Sequence, residues 1–174
     1  IVSPAFTAEF LTEFLFNYHR HAEHIMNSWS DSGNHLLFEA QRMIYAGTFF
    51  PEFKNAETWR KNGVEILNRE IGVQIYDDGG QYELCPHYHL ASIEIFIKAL
   101  DMADLNGFRN AFPQSYIDTI EKMIMFYANI SYPDYMNPCF SDARLVTKKG
   151  MLNHFKTWSK LFPDNDLIRH MATE

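Results

Sequence analysis

The apolar residues of this 174-residue chain recur at helical spacing from one end to the other, and no alternating run persists long enough to name a strand. Phe6, Phe10, Phe14, Tyr18, Ala22 and Ile25 mark a first helix, opened by Ser3-Pro4 as N-cap and first-turn proline and carried to about Asn27. Its aromatic stripe predicts core packing. Trp29 to Gly33 breaks the pattern. A second helix runs from Asn34 through Leu37, Ala40, Ile44 and Gly47 to the break at Thr48-Phe-Phe-Pro51. Asn55 to Tyr76 reads as a third, apolar on one face through Val64, Leu67, Ile71 and Ile75, and hence outer. From Tyr88 to Asn106 the pattern is apolar round more of its circumference, which predicts a helix enclosed by others and ended at Asn106-Gly107. A fifth helix spans Pro113 to Ile130, a sixth follows Gly150 and stops before Pro163, and a short last one starts near Asp164.

The fold class is therefore all-α, with less polar and more polar helices alternating. Helical hairpins stacked side by side account for that order, inner helices parallel to one another and outer helices antiparallel to them. Inner helices in such a stack all begin at one rim. Asn34, Tyr88 and the loop before Met151 are then expected at the same end of the array. The longest irregular stretch, residues 131–149, holds Pro133, Pro138, Cys139, Ser141 and Asp142. Long loops inside compact domains are commonly functional.

Between the third and fourth helices, Asp77 to His89 reads Asp-Asp-Gly-Gly-Gln-Tyr-Glu-Leu-Cys-Pro-His-Tyr-His. Little of that composition serves a core. Gly79-Gly80 turns the backbone without steric cost, and Pro86 can open a helix because its missing N–H would be unpaired there anyway. His87, Tyr88 and His89 then fall in a first helical turn, beside unsatisfied N–H groups and the positive end of the helix dipole. Such a place suits an anion.

Composition narrows the function classes. A chain with 47% hydrophobic and 21% charged residues has the make-up of one globular domain, here taken as residues 1–174. A formal charge of −7 without a basic stripe argues against nucleic acid as a partner. The most apolar windows are helix-periodic and interrupted by charge, which argues against a membrane span. Cys85 and Cys139 make no disulfide framework. The opening Ile-Val-Ser-Pro, neither a methionine nor a signal sequence, is expected of a processed or excised piece of a longer protein.

At the expected rim, Asn34 has two readings. It is a good N-cap residue, and its amide is also a neutral donor for a carboxylate, helped by a helix N-terminus. Tyr88 is either a half-buried aromatic with its hydroxyl at water or a proton shuttle. A phenol, with a reference pKa near ~10, acts as a base only if cationic neighbours lower it. His87 and His89 flank it and could supply that bias.

Gly33-Asn34-His35, together with the Asp-Gly-Gly turn leading to Pro86-His87-Tyr88-His89, resembles the helical domain of heparinase III-like polysaccharide lyases, close relatives of the alginate lyases. The 54 positions from Asn34 to Tyr88 match that resemblance, which covers nearly the whole chain. Leu84-Cys85 before Pro86 departs from it, since relatives more often carry a polar and a small residue there.

The resemblance implies an incomplete (α/α) toroid of helical hairpins and a lyase that cleaves a uronic-acid polysaccharide, heparan sulfate-like, by β-elimination. Asn34, with His35, would neutralise the uronate carboxylate, and Tyr88 would serve as general acid/base. His35, His87, His89, Glu83 and Asp142 are the candidate substrate contacts. A further base, a histidine, would come from a β-sandwich domain that follows the toroid and is not found in these residues. The segment by itself is then expected to be weakly active or inactive. No cofactor or metal is expected in the segment, while a structural metal could sit in the sandwich. A bacterial periplasmic or secreted location follows from the same resemblance, and the partner is an acidic polysaccharide.

Other readings compete. Alginate could be the uronate substrate. A toroid glycoside hydrolase would need two carboxylates across a cleft, for which Glu39, Asp77, Asp78, Glu83 and Asp142 are the candidates. A helical-repeat glycan-binding scaffold would use the rim loops only for contact, but repeat scaffolds keep short and similar loops. His19-Arg20-His21-Ala22-Glu23-His24 approaches a helical zinc pattern, with Arg20 where the first ligand belongs. Arg42, Arg109, Arg144, Lys148 and Lys149 could meet sulfates or simply be surface charges.

Overall fold

The computed structural model describes Ser3 and residues 6–173. Among the described residues the helices are α1 (Ala8–Asn27), α2 (Gly33–Phe49), α3 (Ala56–Gln74), α4 (Pro86–Leu105), α5 (Gln114–Ile130), α6 (Lys148–Leu161) and α7 (Asp166–Met171), with a single 3-10 turn at Arg109–Ala111. The only β-type pairing among these residues is an isolated bridge between Ile75 and Gln81.

Two boundaries differ from expectation, each for a capping reason. Helix α1 starts after Thr7, whose Oγ1 accepts the Phe10 N–H at 3.2 Å, instead of at Ser3-Pro4. Pro4 lies outside the described residues. Helix α6 begins at Lys148, ahead of Gly150, because Thr147 Oγ1 caps the Gly150 N–H. Helix α4 begins at Pro86, as expected of a proline that opens a helix.

Contacts between helices fix their directions. Helix α3 runs antiparallel to α2: Gly47 faces Ala56 and Arg60, Gly63 faces Ala40 and Ile44, and Gln74 Nε2 donates to the Gly33 carbonyl at 3.3 Å. A Cβ on Gly63 would run into the Ala40 carbonyl oxygen, so these two helices approach more closely than side chains would allow. Helix α4 is parallel to α2, since Gln41 Nε2 donates to the Ile95 carbonyl at 3.0 Å and Phe38 to Tyr45 line a groove with Ala91 to Lys98. Helix α5 returns antiparallel to α4, as Tyr116 OH donates to the Phe96 carbonyl at 3.2 Å while His89 meets Met123 further along. Helix α6 is again parallel to α4: His154 meets Glu94, and Thr157 and Leu161 flank Ile97 and Asp101.

The inner helices α2, α4 and α6 thus begin at one rim, at Gly33, Pro86 and Lys148. The molecule is an arc of hairpins, the expected incomplete (α/α) toroid. Its core lies between inner and outer helices, where Leu37, Ile44, Leu67, Ile93, Phe96, Leu100, Ile124 and Phe155 are buried. Burying each such side chain stabilises by about 1.5–3 kcal/mol. Helix α4 is enclosed as expected.

The aromatic stripe of α1 is a correction. Phe6, Phe10 and Phe14 are 43%, 48% and 42% exposed and pack edge-on or stacked along their own helix. Phe14 touches Phe50 edge-on, Tyr18 packs on Phe50 and Phe53, and the second half of α1 buries Ala22 in a cluster with Met43, Ala46 and Trp59. Periodicity identifies an apolar face; it does not supply the partner that would cover it.

Candidate functional site

The turn before α4 is built by short-range hydrogen bonds. Tyr76 N–H donates to the Gly80 carbonyl at 2.9 Å, Tyr82 N–H to the Gln74 carbonyl at 2.8 Å, and Gly80 N–H to Asp78 Oδ1 at 2.9 Å. Gly79 has φ +92° and lies against the backbone of α5 at Lys122, a position closed to any side chain. Gln81 is buried and joins Glu83 and His89: its Nε2 donates to Glu83 Oε1, its Oε1 accepts the Glu83 N–H, both at 3.0 Å, and its own N–H donates to His89 Nδ1 at 3.1 Å.

That last bond settles the role of His89. Because Nδ1 accepts, Nε2 carries the proton and donates to the Met123 carbonyl at 2.9 Å. The ring stacks on Tyr127 with centroids 5.7 Å apart, and His89 is 2% exposed. Burial drives its pKa down to about 4. His89 is therefore neutral, enclosed and out of reach of a polysaccharide; it clamps the turn to α5 and is not the substrate contact expected from the sequence.

The two rim segments meet at Glu83. A Cβ built on Gly33 would lie 3.7 Å from Glu83 Oε1 and from the Tyr82 hydroxyl, so the start of α2 and the turn before α4 adjoin. Asn34 does not cap α2: the helix already begins at Gly33 after Ser32, and the Asn34 side chain makes no hydrogen bond within the described residues. Its amide is half-buried and unengaged. His35, beside it, is exposed. His87 is half-buried with its Nδ1 enclosed and unpartnered, and its ring lies 6.2 Å from that of Tyr88.

Tyr88 points its hydroxyl at the long loop, donating to Asp142 Oδ2 at 3.3 Å. The Asp142 charge, together with this hydrogen bond, raises the phenol above its ordinary value. The sequence had suggested a cationic bias from His87 and His89, which would lower it. The structure reverses the sign because a carboxylate, and not an imidazolium, is the nearest partner.

Asn137 organises the loop that delivers Asp142. Its Nδ2 donates to the carbonyls of Pro138 and Arg144, at 3.0 and 3.1 Å, and its Oδ1 accepts the Val146 N–H at 2.6 Å. Ser141, just before Asp142, takes φ +56°. Lys148, at the same rim, lies over the Tyr135 ring at 5.3 Å.

Of the carboxylates considered for hydrolysis, Glu39 holds the α1–α2 turn by accepting from Ser30 N–H and Oγ at 2.7 Å each, and Asp78 caps Gly80. Glu83 is held by Gln81, and Asp77 is exposed. In the His/Glu-rich part of α1, Glu23 accepts from Asn55 Nδ2 and Trp59 Nε1, both at 2.9 Å, and so ties α1 to α3.

Two features were missed by sequence reasoning. The Asn137 clamp had a faint signal, an Asn-Pro dipeptide inside a long loop. The other joins inner helices: His154 Nδ1 lies 3.2 Å from Glu94 Oε1, and Lys98 Nζ 3.2 Å from Glu94 Oε2. The His154 hydrogen bond, chiefly, lowers the Glu94 pKa. Only the Glu94–Lys98 half, one helical turn apart, was visible in sequence.

Comparison with known proteins places these segments. The chain is 69% identical to a heparin-sulfate lyase of Bacteroides stercoris over 172 residues, and 46% identical to one of Pedobacter heparinus over the same length. In both cases 99% of this chain is covered but only 26% of the relative, so the chain spans about a quarter of those proteins. A crystal structure of heparinase III, 31% identical, superposes with a TM-score of 0.95 over 99% of this chain and 28% of that one. Residues 1–170 match the family described as Heparinase II/III N-terminus, and the chain belongs to that family.

Proposed function

We propose that this chain is part of a polysaccharide lyase that cleaves a uronic-acid glycosaminoglycan of the heparan sulfate type by β-elimination. The observation that carries this reading is the parallel register of α2 and α4, which brings the unengaged Asn34 amide and the Tyr88 phenol to one rim.

The chemistry follows from the substrate. Removing the proton at C5, next to a carboxylate, builds further negative charge on that group as C5 becomes carbanionic. The Asn34 amide donates to the carboxylate, with His35 beside it. The electron pair left at C5 then forms the C4–C5 double bond while the C4–O4 bond breaks, and Tyr88 gives its proton to the departing O4. The base that takes the C5 proton is a histidine of a β-sandwich domain in the longer protein, outside these residues. Glu83, His87 and Asp142 border the place where the sugar would lie. The protein acts in the bacterial periplasm or is secreted.

The test uses the longer protein containing this segment and a panel of heparan sulfate, an unsulfated heparosan-type chain and alginate. Elimination leaves an unsaturated uronate that absorbs ultraviolet light, so absorbance should rise on the heparan-type substrates. New reducing ends without that absorbance would show a hydrolase, and binding without turnover a scaffold. A rise on alginate alone would move the substrate class.

A further inference from the structure

The contact between Tyr88 and Asp142 joins two elements far apart in sequence, the first turn of α4 and the loop of residues 131–149. Asp142 is exposed on that loop, yet the loop is fixed: Asn137 bonds to three backbone groups across it, Ala143 N–H donates to the Phe140 carbonyl at 3.2 Å, and Tyr135 OH reaches the Thr173 carbonyl at 3.0 Å. The carboxylate is therefore carried to the phenol on a loop fixed by its own hydrogen bonds. Its geometry is also one-sided, because a carboxylate can only accept and Tyr88 must donate.

Resting on the lyase reading above, we propose that Asp142 is a positioning residue for Tyr88, holding the hydroxyl protonated and fixed at the rim so that it meets the scissile oxygen as a neutral acid and never as a resting phenolate base. The groups facing Tyr88 are Asp142 from the loop, Glu83 and Cys85 from the turn before α4, and His87 on its own helix. The first three all disfavour the phenolate, Asp142 most. The phenol carries a single proton, so in the reaction its O–H turns from Asp142 to O4; it remains more acidic than the alcohol whose alkoxide is leaving, so that donation stays downhill. Once the proton has gone, the phenolate beside Asp142 is destabilised and recovers a proton from solvent. The base for the C5 proton must then be a different group.

The experiment compares wild type, Asp142→Asn, Asp142→Glu, Asn137→Ala and Tyr88→Phe in the longer protein, reading kcat, KM and the pH profile by ultraviolet absorbance on heparan sulfate. Asp142→Asn should lower kcat about tenfold with KM changed less than about twofold, and its alkaline limb should move to lower pH as the phenol becomes easier to ionise. Asp142→Glu should restore the limb in part. Asn137→Ala, which loosens the loop without touching Tyr88, should give a weaker form of the same change and guards against a folding defect in the Asp142 variants. A wild-type profile in Asp142→Asn, a rise in KM alone, or a limb moving to higher pH would overturn the proposal while a dead Tyr88→Phe leaves the lyase reading standing. Full turnover by Tyr88→Phe would instead remove the lyase reading itself, and this proposal with it.

Discussion

Gln41 on α2 donates its side-chain amide to the backbone carbonyl of Ile95 on α4 at 3.0 Å, across a sequence offset of 54 residues. The same offset separates Asn34 from Tyr88. Two parallel helices locked at one level are locked at every level, so this single buried bond carries the register down to the rim. Gln41 itself is 2% exposed, and a buried amide keeps such a place only when its donor is satisfied.

Loss of the rim groups should separate catalysis from binding. In the longer protein, Tyr88→Phe is expected to reduce turnover by about 10²–10⁴-fold, the range of general acid–base catalysis. Asn34→Ala should cost about 10²–10³-fold, as removal of one donor to a developing anion does. Glycan binding, measured by titration calorimetry, should change far less in Tyr88→Phe than its turnover.

The His89 clamp makes stability depend on acid. Its folded pKa of about 4 lies below the ordinary histidine value of 6.5, so the unfolded chain takes up the proton first as pH falls. The contribution is fully present above about pH 6.5, shrinks as pH drops, and is lost through about pH 4. Its size is on the order of 3 kcal/mol. Chemical denaturation at a series of pH values should show this slope in the wild type and a flatter one in His89→Phe, which should also be less stable at neutral pH.

Two glycines on α3 should respond to alanine with opposite signs. Gly63→Ala forces a methyl into the Ala40 carbonyl and the Ile44 side chain and should destabilise by about 1–3 kcal/mol. Gly72 is exposed in the same helix with nothing within 4 Å of a built Cβ. Gly72→Ala should be neutral or stabilise by up to about 1 kcal/mol, through helix propensity alone. Thermal melts of the two variants side by side check the pair.

Asn137→Ala should open the long loop with little effect on the helices. Three hydrogen bonds go, two of them to carbonyls that lose their donor, and the cost is about 1–3 kcal/mol locally. Limited proteolysis should find new cleavage within residues 131–149, while the helical circular dichroism stays unchanged.

Helix positions, their alternation into inner and outer members, and the rim that Asn34 and Tyr88 share were legible in the residues because they follow from local rules. A period of 3.6 marks a buried face, Gly79-Gly80 and Pro86 mark where the backbone must turn, and parallel inner helices follow once hairpins stack. What was not legible depended on partners distant along the chain. His89 and His87 look alike in sequence, yet one is sealed under α5 and the other borders the rim, because Met123, Phe126 and Tyr127 close over His89. The charge beside Tyr88 was read with the wrong sign for the same reason: the adjacent histidines are neighbours by chain order, whereas Asp142 becomes a neighbour only when a loop folds back across α4. The stripe on α1 had its periodicity written in the sequence, but whether an apolar face is covered is decided by what stands opposite it. The sequence by itself determined which groups come to the rim; tertiary structure decided their protonation and reach, since electrostatics and burial act through space.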